Sequence, residues 1–443
     1  LFLLACSDGG GAGTQQVAPS ADASAVDSYV PLTDAATADA ASLDASPKPD
    51  CTRAGQAHAA PTSLYDAFVA DIKKLSGSLL TARVDKLIAD VGAQGGTPLE
   101  DKSDRLVFLA RAAGPLGPWS IAGSFTGWKA NPQALAQVPG TDLWVLDAHV
   151  ARGQAHPYKL LSGTSDQGFM EDPLARNVVW DGINRQTVGE FNAIAHPADG
   201  DPSKGRLERR TKVHASKLGD DRDVFVYLPA RYDDGSCDVL PHLVFHDGNE
   251  DLTRGDFMSV ADATYAKTPP ASAILAFVAL PNQNVRLAQY TFSTQGSLGD
   301  AYGEFLLNDL EPSLAKDYRL CNLATATGQS GASLGGLIST YLAFQHSEHW
   351  GYVGAQSASY FWANDAMITR AGNDPVVPVR LYLDNGCPND NCVEVNQVFD
   401  ALTKKGYDVV HVQEPNAQHD WAFWAGRLPK LLLRFREGKS GCN

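Results

Sequence analysis

Residues 323–327 have the composition of a strand, Gly331-Ala332-Ser333-Leu334-Gly335 reads as a tight turn, and Leu337 to Gln345 has helical spacing. A Gly-x-Ser-x-Gly turn between a strand and a helix leaves few architectures open, because the strand must sit within a sheet and the helix must fold back onto that sheet's face. The serine is lifted onto a strained position that its backbone neighbours can approach only where they are small. Ser330 lies in the same run, but the residue two beyond it is Ala332, so Ser333 fits the pattern better.

The surrounding texture supplies that sheet. From residue 206 to the end at 443, apolar strand-like runs alternate with helical stretches. The strands are Val224 to Leu228, His242 to Phe245, Ile274 to Leu280, Leu323 to Thr327 and Val379 to Leu383, and between them Gly303 to Leu314, Leu337 to Gln345 and Val393 to Lys404 repeat at helical period. Near-continuous apolar strands in this alternation predict an α/β fold whose mostly parallel sheet carries helices on both faces.

Ser333 as a nucleophile needs a base and an acid, and on a strand-turn-helix site of this kind they follow it in the order acid, then histidine. His419 lies in a loop after the strand-like Val409 to Val412 and before a helix from Trp424, where it can reach back to Ser333. His411 falls inside the strand pattern and reads as part of a sheet face. The acid is expected after Val379 to Leu383. Asp390 stands far enough beyond the strand to orient His419, with Asp384 as its rival and Glu394 as a lesser one. The backbone N–H of Leu334 and one from Gly248 or Asn249, in the loop after His242 to Phe245, would receive a developing oxyanion. His246 and Asp247, beneath that loop, read as structural. No metal-binding spacing of Cys or His is present, and the chemistry calls for no metal or organic cofactor.

Upstream, Leu64, Phe68, Ile72 and Leu75, then Val84, Leu87, Ile88 and Val91, repeat at helical spacing around Gly77, so 61–97 reads as a helical hairpin. Residues 98–205 turn to short β-like runs punctuated by Gly and Pro, among them Arg105 to Arg111, Trp119 to Ala122, Leu143 to Val150 and Tyr158 to Leu161, and end in a polar linker. These predict a small β-sandwich. Residues 6–60 contain an Ala/Ser/Asp-rich tract: residues 7–50 hold seven Asp against Lys48 and a lone aromatic, Tyr29, which cannot bury enough apolar surface to fold. That tract carries a large share of the formal charge of −15, and the acidity with no Lys/Arg block argues against nucleic acid as a partner. No apolar stretch is long enough for a transmembrane helix.

Residues 1–5 followed by Cys6, Leu1-Phe2-Leu3-Leu4-Ala5-Cys6, resemble the end of a bacterial lipoprotein signal peptide. The resemblance implies lipidation at Cys6 and an exported protein of the outer membrane or cell surface, with 6–60 as its tether. The other six cysteines are an even set, consistent with disulfides outside the cytoplasm. Cys387 and Cys392 flank a turn, Cys237 and Cys321 each precede a strand, and a Cys51–Cys442 pair would join the two ends.

Trp119 to Trp128, with Leu143-Trp144 and Tyr158-Lys159-Leu160, resembles the early-set immunoglobulin-like modules of the glycogen-binding type. In sugar-binding members exposed Trp and Lys hold a glucan, which makes Trp128, Trp144 and Lys159 the positions of interest; the alternative is a structural domain whose aromatics fill its own core. Residues 206–443 resemble the enterochelin-esterase, feruloyl-esterase and esterase D group of α/β-hydrolases. The echoes are Val226 to Pro229, His246 to Asn249, Phe305 to Leu314, Gly331 to Gly336, Gln356 to Trp362 and His419 to Trp424. This resemblance implies a serine carboxylic-ester hydrolase with an acyl-serine intermediate, and substrate contacts from Arg286, Trp362 and Trp421. The chain departs from the group at Gln289, where Glu is common, and at Gln418, where Gly often precedes the histidine. Acylated polysaccharide or hydroxycinnamoyl esters are the first expectation and a siderophore ester the second. A non-catalytic carbohydrate-binding surface protein is the rival of another class.

Overall fold

A computed structural model describes residues 51–55, 61–94, 96–100, 104–111, 118–127, 132–150, 156–162, 169–170, 172–175, 178–180, 191–195, 205–437 and 442. Cys6, the tract 7–50 and Trp128 lie outside them. Helices Ser63–Ile72 and Gly77–Ala93 pack Phe68, Val84, Leu87 and Val91 against Val107, Leu109, Leu143 and Val145 of an antiparallel sheet. The opposite face of that sheet carries Leu106, Phe108 and Ala110 onto Trp119, Ile121, Tyr158 and Leu160 of a second antiparallel sheet. Alternate side chains of Arg105–Arg111 thus enter two cores, which is why its interior is one unbroken apolar run. The small β-sandwich therefore has one outer face covered by the helical pair.

Trp144 lies on the sheet face that meets the second sheet. It alternates with Leu143 and Val145, so it turns inward and packs, half-buried, on the core between the two sheets. Lys159 is half-buried with its ammonium 5.9 Å from the Phe169 ring centroid.

The second domain is built on eight strands: β1 (Arg206–Ala215), β2 (Asp220–Leu228), β3 (His242–His246), β4 (Ile274–Val278), β5 (Thr327–Ala332), β6 (Tyr352–Gln356), β7 (Arg380–Cys387) and β8 (Val409–Pro415). Their spatial order is β1-β2-β4-β3-β5-β6-β7-β8; β2 runs antiparallel to both neighbours and the rest are parallel. Val224, Val226 and Leu228 enter the core on one face and Phe225 and Tyr227 the core on the other, as a sheet covered by helices on both sides requires. This is the α/β-hydrolase architecture.

Two strands differ from expectation. The strand ahead of Ser333 is Thr327–Ala332, and the predicted stretch before it is a short 3-10 turn, Ala324–Ala326. Close packing explains the small residues: a Cβ on Gly328 would lie 2.8 Å from Leu243 Cδ2, and one on Gly331 2.8 Å from the Gly335 backbone. The highly charged β1 escapes an apolar pattern because Arg206 and Glu208 are buried as an ion pair, with Glu208 also accepting from Tyr318 Oη at 2.7 Å.

The disulfides are Cys51–Cys237, Cys321–Cys442 and Cys387–Cys392. The Cys51–Cys442 pairing is thereby overturned: each end is fastened to the second domain instead of to the other end. The reason is local. Leu240 and Leu320 form a bridge that sets the segments carrying Cys237 and Cys321 side by side, and residues 53–55 dock there. Tyr232 Oη and Arg319 Nη1 donate to the Arg53 carbonyl, at 2.5 and 2.9 Å, and Arg206 Nη2 donates to Ala54 O at 2.7 Å. Among the described residues no helix is long and apolar enough to cross a membrane.

Candidate active site

Ser333 sits between β5 and the helix Leu334–Gln345 with φ 58° and ψ −119°, a conformation that strains any residue with a Cβ. It is held by its N–H on Gln356 O at 2.9 Å and by the Leu337 N–H on its own carbonyl at 3.1 Å. A Cβ on Gly335 would lie 3.4 Å from both His246 Cβ and Asp247 Oδ2, so the elbow is pressed against the loop after β3.

The acid and base come from the ends of the next strands. Asp390, fully buried in the turn after β7, accepts from His419 Nδ1 at 2.7 Å through Oδ1. A carboxylate accepts only, so Nδ1 carries the hydrogen and Nε2 presents a lone pair. His419, 38% exposed, rests edge-on against Trp424 with ring centroids 4.9 Å apart. Among the described residues no hydrogen bond joins Ser333 to His419; Ser333 Oγ lies 3.1 Å from Ser359 Oγ. Such contacts are often open before substrate binds.

Asp384 is also buried but faces elsewhere, accepting from Gln356 Nε2 at 3.1 Å and pairing with Arg427 Nε at 3.0 Å. Burial pushes its pKa up to about 6 despite that cation. Glu394 lies in the first turn of the helix Cys392–Lys404 and makes no bond to His419.

On the oxyanion side, Asp247 takes a left-handed conformation, φ 65°, and starts the short helix Gly248–Thr253, so its first N–H groups have no partner within the helix. Gly248 is required where it is: a Cβ would stand 2.4 Å from the Phe277 carbonyl carbon. The Asn249 side chain is buried, and its Oδ1 accepts from Leu280 N–H at 3.4 Å. Leu334 heads the helix after Ser333. His246 accepts from Tyr302 Oη at 2.8 Å and donates to Gln329 Oε1 at 3.1 Å, and burial pulls its pKa down to about 4; it is a neutral strut.

Arg286, expected at the substrate, has a different placement. Its guanidinium grips Asp247 in a bidentate pair at 2.8 and 2.7 Å and so braces the oxyanion loop. Trp362 is half-buried, donating from Nε1 to Phe292 O at 2.9 Å, and Trp421 packs edge-on against Trp424 at 4.9 Å between centroids.

Sequence reasoning missed the group that holds the acid. Ser357 Oγ donates to Asp390 Oδ2 at 2.7 Å and accepts from Trp424 Nε1 and Arg427 Nη2, both at 2.9 Å. The Gly386 N–H adds a bond to the same carboxylate oxygen at 2.9 Å. Arg427, 2% exposed, approaches Asp390 at 3.3 Å as well as Asp384. A signal existed: Trp424, Leu428, Leu431, Leu432 and Phe435 form the buried stripe of the helix Trp421–Arg436, and Arg427 falls on it three residues after Trp424.

Arg427→Met is expected to destabilise the fold by about 3–5 kcal/mol at pH 8, read as a lowered urea midpoint, because two buried carboxylates lose their cation. The deficit should shrink below pH 6. The folded pKa of Asp384 lies above its ordinary value of 3.8, so the stability this group contributes is full below the unfolded value and is lost as pH rises through about 6. Without the cation that loss steepens.

Residues 215–435 match the family described as "Putative esterase". The chain is 23% identical over 397 residues to the iron(III) enterobactin esterase of Dickeya dadantii, spanning 76% of this chain and 89% of that protein. Its structure is similar to the enterobactin esterase of Shigella flexneri, at 15% identity, 75% and 93% coverage and TM-score 0.45. It is also similar to a ferulic acid esterase of Anaeromyces mucronatus, at 18% identity, 52% and 91% coverage and TM-score 0.43. The match to this esterase family over residues 215–435 makes the chain a carboxylic ester hydrolase.

Proposed function

We propose that the protein cleaves acylated polysaccharide or hydroxycinnamoyl esters through an acyl-Ser333 intermediate. The observation that carries this reading is the Asp390–His419 bond of 2.7 Å on the same end of the sheet as the strained Ser333 elbow. His419 Nε2 takes the Ser333 Oγ proton as Oγ bonds to the ester carbon. The carbonyl electron pair moves onto oxygen, facing the N–H groups of Leu334 and of Gly248 or Asn249. The imidazolium, stabilised by Asp390, then protonates the departing alcohol, and water repeats the sequence to release the acid.

A siderophore ester is the second reading, favoured by the likeness to the Dickeya enterobactin esterase over most of its length. A ferric catecholate is strongly anionic and calls for free cations, whereas the cation expected nearest the oxyanion loop, Arg286, is already neutralised by Asp247. That favours uncharged esters. The three disulfides support export, with Cys6 as the lipid-bearing residue of an outer-membrane or cell-surface lipoprotein. Hydrolysis of methyl ferulate and of enterobactin, measured side by side against a Ser333→Ala blank, is expected to show the larger kcat/KM on ferulate. Faster opening of the trilactone would replace the first reading by the second, and failure of a fluorophosphonate to label Ser333 would favour a non-catalytic, sugar-binding surface protein.

A further inference from the structure

The residues that follow β6 touch both ends of the catalytic group. Ser357 holds Asp390 at 2.7 Å. Two residues on, the Ser359 N–H donates to the Ser333 carbonyl at 3.0 Å, and its hydroxyl lies 3.1 Å from Ser333 Oγ. Ser359 is 2% exposed, and among the described residues Ser333 Oγ is the single hydrogen-bond partner of that hydroxyl. The Ser359 carbonyl accepts from Trp362 N–H at 3.1 Å, so its backbone is held on both sides.

We propose that Ser359 is a further catalytic residue, a neutral hydrogen-bond donor to Ser333 Oγ during acyl transfer; this rests on the reading of Ser333 as the nucleophile. The argument is one of proton direction. For Ser333 to react, its own proton must point at His419 Nε2, and the contact with Ser359 can then be made only by the Ser359 O–H donating into a lone pair of Ser333 Oγ. In the attack, the Oγ–H bond breaks and its proton goes to Nε2, while an Oγ electron pair forms the bond to the ester carbon and the carbonyl π pair moves to oxygen. Ser359 keeps its proton throughout. Oγ carries more negative charge while that proton is leaving than before, so a fixed donor binds it more tightly in the transition state than in the ground state. In the second half of the reaction Oγ is the leaving group, and the same donor receives it. Burial makes the hydroxyl effective: no water competes for it, and it needs no reorientation at the moment of reaction.

A hydroxyl that merely braced the loop would act on stability and substrate affinity, so the two roles separate in kinetics. The test compares wild type with Ser359→Ala, Ser359→Cys and Ser359→Thr on p-nitrophenyl acetate, reading kcat, KM, Tm and the rate constant of Ser333 labelling by a fluorophosphonate. The expected result for Ser359→Ala is a fall of about 10- to 100-fold in kcat, an equal fall in the labelling rate and a KM within about twofold of wild type. Ser359→Thr, which keeps the hydroxyl, should recover most of the rate. Ser359→Cys, close to serine in size and a weak donor, should lose it even if the alanine variant folds poorly. Unchanged kcat and labelling in the Ala and Cys variants, or a change confined to KM and Tm, would overturn the proposal. A Ser333→Ala control separates it from the reading beneath: turnover surviving in that control sinks the nucleophile assignment itself.

Discussion

Ser333→Ala is expected to lower kcat by roughly a millionfold on any ester the protein accepts, the scale seen when a serine nucleophile is deleted from a coupled catalytic group. Alanine at φ 58° meets the same backbone clash as serine, and the Gln356 and Leu337 bonds that hold the position are made by the backbone alone. The backbone is therefore undisturbed, and folding stability should fall only by the about 1–3 kcal/mol of leaving the buried Ser359 hydroxyl without its partner, while labelling by a fluorophosphonate disappears. Steady-state kinetics with intact-protein mass spectrometry after labelling would check both. A variant that kept a tenth of wild-type activity would remove Ser333 from the mechanism.

Asp390→Asn should be the next most damaging change, with kcat falling by about ten-thousandfold and the fold intact. Asp390 Oδ1 can only accept, which pins the hydrogen on His419 Nδ1 and frees Nε2. An amide offers an N–H there just as readily as an oxygen, so the imidazole can settle with its hydrogen on Nε2, the wrong tautomer for a base. Stability is protected because Arg427 retains Asp384 as its counter-charge. The matched control, Asp384→Asn, should stay within about tenfold of wild-type kcat, since Asp384 reaches the catalytic group only through Arg427 and Gln356. Comparable losses in both variants would make the two carboxylates joint holders of the base.

How much of this was legible follows from the range of the interactions involved. Strand-helix alternation and the Gly-x-Ser-x-Gly turn are local, and they lead to the sheet, to Ser333 and, by chain order, to candidates for acid and base. The strand bearing Ser333 was displaced by a few residues because Thr327–Ala332 is chosen for close approach to Leu243 and Gly335, and small residues leave no β signature. The choice between Asp384 and Asp390 depends on Arg427, Ser357 and Trp424, drawn from two other elements of the chain. Trp144 was ambiguous for a related reason: alternation alone does not reveal that both faces of Arg105–Arg111 and its neighbour are covered, so an inward tryptophan and an outward one look alike. Arg286 is the reverse case. The family resemblance implied a substrate contact from it, and its guanidinium is paired with Asp247.

The Cys51–Cys237 bond determines where a mechanical load would enter the molecule. Cys237 lies between the end of β2 and the start of β3, and His242, which opens β3, pairs with Thr327, the residue at the start of the strand that ends beside Ser333. Tension on the chain ahead of Cys51 is therefore delivered through sulfur to the rim of the sheet farthest from the nucleophile. The helical pair and the sandwich hang from this path as a side branch and bear none of the pull. Reducing that bond would leave the hydrogen bonds of Arg53 and Ala54 to Tyr232, Arg319 and Arg206 to carry the strain before it passed into residues 61–195.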